Sequence, residues 1–150
     1  MKPRLQKPTS DAAAEYRLEE QVGYWLRRAY QRHMAIFAAV MGDLDLTSVQ
    51  FAALVKLRDM KAVTQTELGR LIGMDKATIS GMVSRLQRRG LLQFRPDPLD
   101  RRSRIIALTA EGEALLAQAL LRIDQVSEDT LAPISAAERA ALRETLRKLG

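Results

Sequence analysis

A chain of 150 residues, 47% hydrophobic and 28% charged, has the size of one compact domain and enough apolar material for a core. With no cysteine and a single histidine, His33, it offers no disulfide framework, thiolate nucleophile, thiol redox sensor or Cys-ligated metal, and a zinc site is not expected. The formal charge of +6 is unevenly placed: residues 64–105 hold nine Lys and Arg against four Asp and Glu, whereas residues 106–150 hold five against seven.

Such an excess is often only a solvated face, but here it coincides with the special motifs and points to a polyanionic partner, nucleic acid first. Residues 1–11 begin MKPRLQKPTS, with two prolines and no apolar periodicity, and read as a flexible arm. Neither the order of a signal peptide nor an apolar run of about 18 residues is seen, so the expectation is a cytoplasmic protein with no membrane span. From Ala12 to about Met41 the positions Val22, Leu26, Ala29, Tyr30, His33, Phe37, Val40 and Met41 recur at three and four, predicting one long amphipathic helix that Gly42 ends.

Thr47 with Gln50 is spaced as a capping box, with Leu46 and Phe51 as its hydrophobic staple, and opens a helix to about Met60. Thr64 with Glu67 repeats the device, with Val63 and Leu68 as staple, and Gly73 closes a helix of about nine residues. After a tight turn Asp75 caps another helix, whose Ile79, Val83 and Leu86 form an apolar seam. The pair is a helix-turn-helix pattern. Burying that seam turns Lys76, Ala77, Thr78, Ser80, Gly81 and Ser84 outward, short enough for a major groove about 12 Å wide, with Arg85, Arg88 and Arg89 at the far end in reach of phosphates.

Beyond Gly90, LLQFR and RIIALT are β-prone runs around the tip DPLDRRSR, a β-hairpin wing whose Arg101, Arg102 and Arg104 would enter a minor groove. Asp97 and Asp100 repel phosphate, so a role aiming an arginine through a bidentate carboxylate pair is expected of Asp100. Thr109 starts a further helix. The stripe Leu115, Leu116, Ala119, Leu120, Ile123 and Val126 follows, Pro133 breaks the chain, and Ser135 with Glu138 caps a last helix bearing Leu142, Leu146 and Leu149. These helices have little of their own domain left to cover, which predicts a two-fold homodimer with recognition helices about 34 Å apart on a palindrome.

The whole is mainly α with a small β-hairpin wing: a winged helix-turn-helix lobe over residues 46–108 and a helical dimerisation region over 12–45 and 109–150. The order of elements, and DRRSRIIALTAEG above all, resembles the MarR family of winged-helix transcriptional regulators over roughly residues 20–150. Its signature stands here as Asp100, Arg102, Leu108, Thr109 and Gly112. The resemblance implies a homodimer on double-stranded operator DNA, Arg102 as the wing arginine oriented by Asp100, and Lys76 to Ser84 as the recognition positions. It also implies effectors, commonly aromatic acids, bound in a cleft against the second helix, here at Phe51 and Leu54. The absence of cysteine excludes the family's oxidation-sensing mode and favours a small-molecule effector.

The segment 25-WLRRAYQRHMAIF-37 is the candidate for that site: Trp25, Tyr30 and Phe37 as aromatic walls, with Arg28 or His33 taking a carboxylate. LRRAYQRH is similar to a stretch in regulators of aromatic-acid catabolism, including those responding to hydroxynicotinate. His33 has two readings, a core residue satisfied by a backbone carbonyl or a contact to a small aromatic carboxylate. No catalytic residue or cofactor is expected, because the chain has no Gly-rich phosphate loop and no G-x-S-x-G elbow. Charge alone leaves two rivals open to a specific, ligand-released repressor: a sequence-independent architectural DNA binder and a repressor without a ligand.

Overall fold

The computed structural model describes residues 15–150. They fall into two compact units, one ending at Arg32 and the other running from His33 to Gly150. The N-terminal arm expected over residues 1–11 lies outside the described residues, as do positions 12–14 of the long helix expected from Ala12.

In the first unit Leu18–Glu20 form a 3-10 turn and Gln21 is extended (φ −88°, ψ 126°), so helix α1 (Val22–Met41) begins ten residues later than Ala12. The start coincides with the first apolar position of the repeat. The turn is useful to the helix, since the Trp25 indole N–H donates to the Glu19 carbonyl at 2.7 Å.

In the second unit α1 buries Phe37 and Met41 and gives way to a 3-10 turn, Gly42–Leu44. The left-handed residue that ends this passage is Asp45 (φ 48°) rather than Gly42. Helix α2 (Ser48–Met60) opens with the expected capping box: the Thr47 side chain accepts from the Gln50 N–H at 3.2 Å, and the Gln50 side chain accepts from the Thr47 N–H at 3.0 Å. Helices α3 (Gln65–Ile72) and α4 (Lys76–Arg88) form the helix-turn-helix. Both end in the same device. Gly73 (φ 70°) and Gly90 (φ 74°) adopt left-handed conformations while the next N–H, of Met74 or Leu91, reaches back to the carbonyl of Gly69 or Leu86.

The hairpin is part of a three-stranded antiparallel sheet of order β1-β3-β2, from β1 (Val63–Thr64), β2 (Leu92–Pro96) and β3 (Arg104–Leu108). Val63 faces Ile106, and Phe94 faces Ile106 from the other side. Val63 is therefore a strand residue as well as the neighbour of a helix cap. The helices α5 (Ala110–Leu120), α6 (Ile123–Leu131) and α7 (Ala136–Leu149) complete the chain. The apolar stripe expected across residues 115–126 is broken at Leu121 and Arg122, between α5 and α6.

Leu54, Leu57, Leu68, Ile79, Met82, Val83, Leu86, Ile106, Leu116 and Val126 share one core cluster, joining α2, the helix-turn-helix, the sheet, α5 and α6. Burying each such side chain stabilises the fold by about 1.5–3 kcal/mol. Helix α7 differs: it has the expected capping box from Ser135 and Glu138, yet none of its residues is buried, and Leu142, Leu146 and Leu149 are 39%, 43% and 66% exposed. No single helix among the described residues is long and apolar enough to cross a membrane.

Candidate nucleic-acid interface

Helix α4 sits on the core by Ile79, Met82, Val83 and Leu86, all nearly inaccessible. Met82 belongs to this seam although the i, i+4, i+7 reading omitted it. Packing that side leaves Lys76, Ala77, Thr78, Ser80, Ser84, Arg85 and Arg88 exposed and Gly81 half-buried. Asp75 caps the helix by accepting from the Thr78 N–H at 2.9 Å, and those N–H contacts hold its carboxyl below the usual carboxylate range. The Thr78 hydroxyl also donates to Asp75, at 2.8 Å, so this side chain belongs to the cap. Ser80 and Ser84 keep their hydroxyls free of any such tie among the described residues.

Arg85 and Arg88 form no ion pair among the described residues and line a concavity of about 390 Å³ together with Asp45, Thr47, Gln50 and Arg89. Arg89 departs from expectation. Instead of reaching outward it turns back into the protein, donating to the carbonyls of Asp45 and Leu44 at 2.5 and 3.0 Å. At the start of α3, Thr64 accepts from the Glu67 N–H at 3.2 Å, but the second half of the expected capping box is missing. The Glu67 carboxylate is taken in a bidentate pair by Arg70, at 2.7 and 3.0 Å, which lowers the acid's pKa and raises the arginine's.

The wing explains its own sequence. Thr109 caps α5 by accepting from the Gly112 N–H, donates its hydroxyl to the Gly90 carbonyl at 2.5 Å and gives its N–H to the Leu91 carbonyl. A Cβ on Gly112 would lie 2.2 Å from the Leu91 carbonyl oxygen, so only glycine fits. At the tip, Asp97 accepts from the Leu99 N–H and Asp100 from the Arg102 N–H, at 2.9 and 3.0 Å. Asp100 therefore shapes the backbone that carries Arg102 and does not bind its guanidinium. The expected aiming pair is replaced by a side-chain-closed turn, the shorter route for a carboxylate two residues upstream. Arg101 and Arg102 are exposed with no ion pair among the described residues, while the Arg104 guanidinium lies over the Phe94 ring, 5.1 Å from its centroid.

The candidate effector residues are divided between the two units. In the first, Trp25 has its N–H committed to Glu19 and its ring edge-on to Tyr24, Arg28 lies 5.9 Å from the Tyr24 ring centroid, and Tyr30 is exposed. In the second, His33 is half-buried and its Nδ1 is 3.0 Å from the Thr130 hydroxyl of α6. Its partner is thus a side chain and not a backbone carbonyl. The rings of His33, Phe37 and Phe51 follow one another at 6.4 and 5.9 Å. Phe37 and Leu54 are core residues, 2% and 0% exposed, and present almost no surface to a ligand in this conformation.

The MarR family model matches residues 46–103, from the approach to α2 through the wing tip. The transcriptional repressor NicR of Pseudomonas putida is 46% identical over 89% of this chain and 85% of its own length. The chain belongs to the MarR family. Bordetella bronchiseptica BpsR, whose structure concerns regulation of DNA binding by 6-hydroxynicotinic acid, is 40% identical, covers 89% of this chain and 96% of its own, and superposes with a TM-score of 0.84. The repressor CouR, solved on a 23-mer DNA duplex, is 33% identical over 88% of this chain and 94% of its own, with a TM-score of 0.80. The protein is accordingly a MarR-family, DNA-binding transcriptional regulator, and the contacts of Thr109 and Gly112 give the physical reason for its LT-x-x-G signature.

Proposed function

We propose that the protein is a homodimeric repressor that reads a palindromic operator and leaves it when a small aromatic carboxylate binds. One observation carries the reading: an outward α4 face of short polar side chains is followed by a stiff hairpin whose Arg101 and Arg102 have no ion pair among the described residues. The short side chains of Ser80 and Ser84 and the bare Cα of Gly81 leave room for base edges in a major groove, Arg85 and Arg88 anchor phosphates, and Arg102 enters the adjacent minor groove. The uncovered leucines of α7 supply the surface for a second copy.

For the effector, the favoured place is beside His33. Its Nε2 has no partner among the described residues, its Nδ1 is held at Thr130, and Phe37 and Phe51 lie one and two rings away. A flat anion placed there would take its hydrogen bond from the imidazole, and the regulation of BpsR by 6-hydroxynicotinic acid supports that class. A ligand with higher affinity for the DNA-free arrangement releases DNA by population shift.

The test is a footprint on the region upstream of the protein's own gene, repeated with 6-hydroxynicotinic acid and related acids. One bounded two-fold footprint that the acid abolishes in the wild type but not in His33→Ala supports the reading. Uniform coverage of the duplex would make the protein an architectural binder, and a bounded footprint indifferent to every acid would make it a ligand-independent repressor.

A further inference from the structure

The turn between α1 and α2 is gripped from two sides. From the end of α4, Arg89 sets Nη1 on the Asp45 carbonyl and Nη2 on the Leu44 carbonyl, while the Asp45 carboxylate stands 3.8 Å away and almost fully in solvent. From the break between α5 and α6, Arg122 donates to both oxygens of the Asp43 carboxylate and, at 3.3 Å, to the Val40 carbonyl in the last turn of α1. The Asp43 pair is strong enough to lower that acid's pKa and raise the arginine's. Both guanidiniums satisfy carbonyls that a helix end or a left-handed residue leaves without partners. The planar fork of arginine does this in a way that a lysine ammonium cannot reproduce.

We infer that Arg89 and Arg122 are positioning residues for DNA recognition, and that the Gly42–Asp45 turn is the joint through which α1 and α6 set the pose of α4. The inference rests on reading α4 as the recognition helix. Arg89 lies one residue beyond α4, so whatever moves Leu44 and Asp45 moves the end of the helix that carries Arg85 and Arg88. Arg122 immediately precedes α6, whose Thr130 meets His33 of α1. The same two helices are therefore tied at two places, one beside the proposed effector position and one at the joint. A change in their spacing at His33 has a short mechanical route to α4: through Arg122 to Asp43, along three residues of turn, and through Arg89.

The experiment uses the full-length protein without effector, a duplex selected by the wild type from random sequence, and a scrambled duplex of equal length. In Arg89→Lys the charge stays and the fork is lost. The expected result is at least a fivefold loss on the selected duplex, with unchanged binding to the scrambled one and an unchanged salt slope. Arg122→Lys should behave in the same way, and the double variant should lose little more than the worse single, since both act through one turn. Wild-type affinity in Arg89→Lys, with Arg89→Gln weakening both duplexes alike and lowering the salt slope by about one, would make Arg89 a phosphate contact and overturn the inference. Circular dichroism accompanies each variant. Should Arg89→Lys fail to fold, Arg122→Lys decides alone, and wild-type binding by it overturns the joint. A wild type that does not distinguish the two duplexes would instead sink the reading of α4 as a recognition helix.

Discussion

The base and the tip of the wing are held by different means. At the base, Thr109 bonds to Gly90, Leu91 and Gly112, and Gly112 presses on the Leu91 carbonyl with no room for a methyl group. At the tip, Asp97 and Asp100 close the backbone through the N–H groups of Leu99 and Arg102, and Asp97 and Ser103 bridge it from side to side. The other side chains there stand open: Leu99 is 96% exposed, and Arg101 and Arg102 have no ion pair among the described residues. Both ends have a fixed backbone, but only the base is also complete in its side chains. A segment that is ordered yet open gives up little conformational entropy when it meets a partner, which suits it to binding.

The largest effect should come from breaking the base. Gly112→Ala places a Cβ against backbone, which cannot yield as a side chain would, and should cost about 2–4 kcal/mol of stability in chemical denaturation. A wild-type midpoint would show that this close approach is not kept in solution. The tip should respond in the opposite sense, in binding and not in stability. Arg102→Ala should leave the melting temperature unchanged and weaken operator binding at least tenfold, on the order of 1–3 kcal/mol. Asp100 sharpens the contrast, because its carboxylate serves a backbone N–H. Asp100→Asn preserves that acceptor and should bind as well as the wild type or better, whereas Asp100→Ala should bind more weakly. Equal loss in both variants would restore a direct carboxylate–guanidinium role.

A smaller effect extends the comparison to α4. A methyl at Gly81 would meet only the Arg85 guanidinium, at an ordinary 3.6 Å. Gly81→Ala should therefore stabilise the fold by about 0.5–1 kcal/mol through helix propensity, while lowering operator affinity by crowding the groove-facing side. A gain in both would place Gly81 away from DNA. The smallest effect concerns acid. Asp75 has its pKa lowered by the Thr78 N–H, so the stability it contributes is fully present above about pH 4 and is lost as the pH falls through the lowered value of the folded state. Asp75→Asn should flatten the acid limb of the stability curve slightly and leave neutral pH almost untouched.

Much of this was legible in the residues because caps and seams are local. Thr47 with Gln50, Asp75, Thr109 and Ser135 with Glu138 announce their helices within four residues, and Ile79, Val83 and Leu86 show which side of α4 is covered. What escaped is set by distance in the chain. Strand β1 has two residues and exists because Val63 meets Ile106, far beyond any periodicity. Arg89 and Arg122 look like surface cations until the fold brings Asp45 and Asp43 to them. Glu67 was diverted by Arg70, three residues on, a competition that spacing alone does not resolve. Of the candidate effector residues, the pattern placed His33 on the correct stripe but had no means of naming Thr130 as its partner.

The pairing of β1 with β3, together with the Thr109 latch, has a consequence for how such a protein can change over time. Register is settled at the base, so residues 97–103 hold nothing else in place and their number is nearly free. Doubling the length of a loop adds only about 0.6 kcal/mol of closure entropy. Descendants of this chain could lengthen, shorten or recompose the tip, and so alter how far it reaches along a duplex, while inheriting the same core.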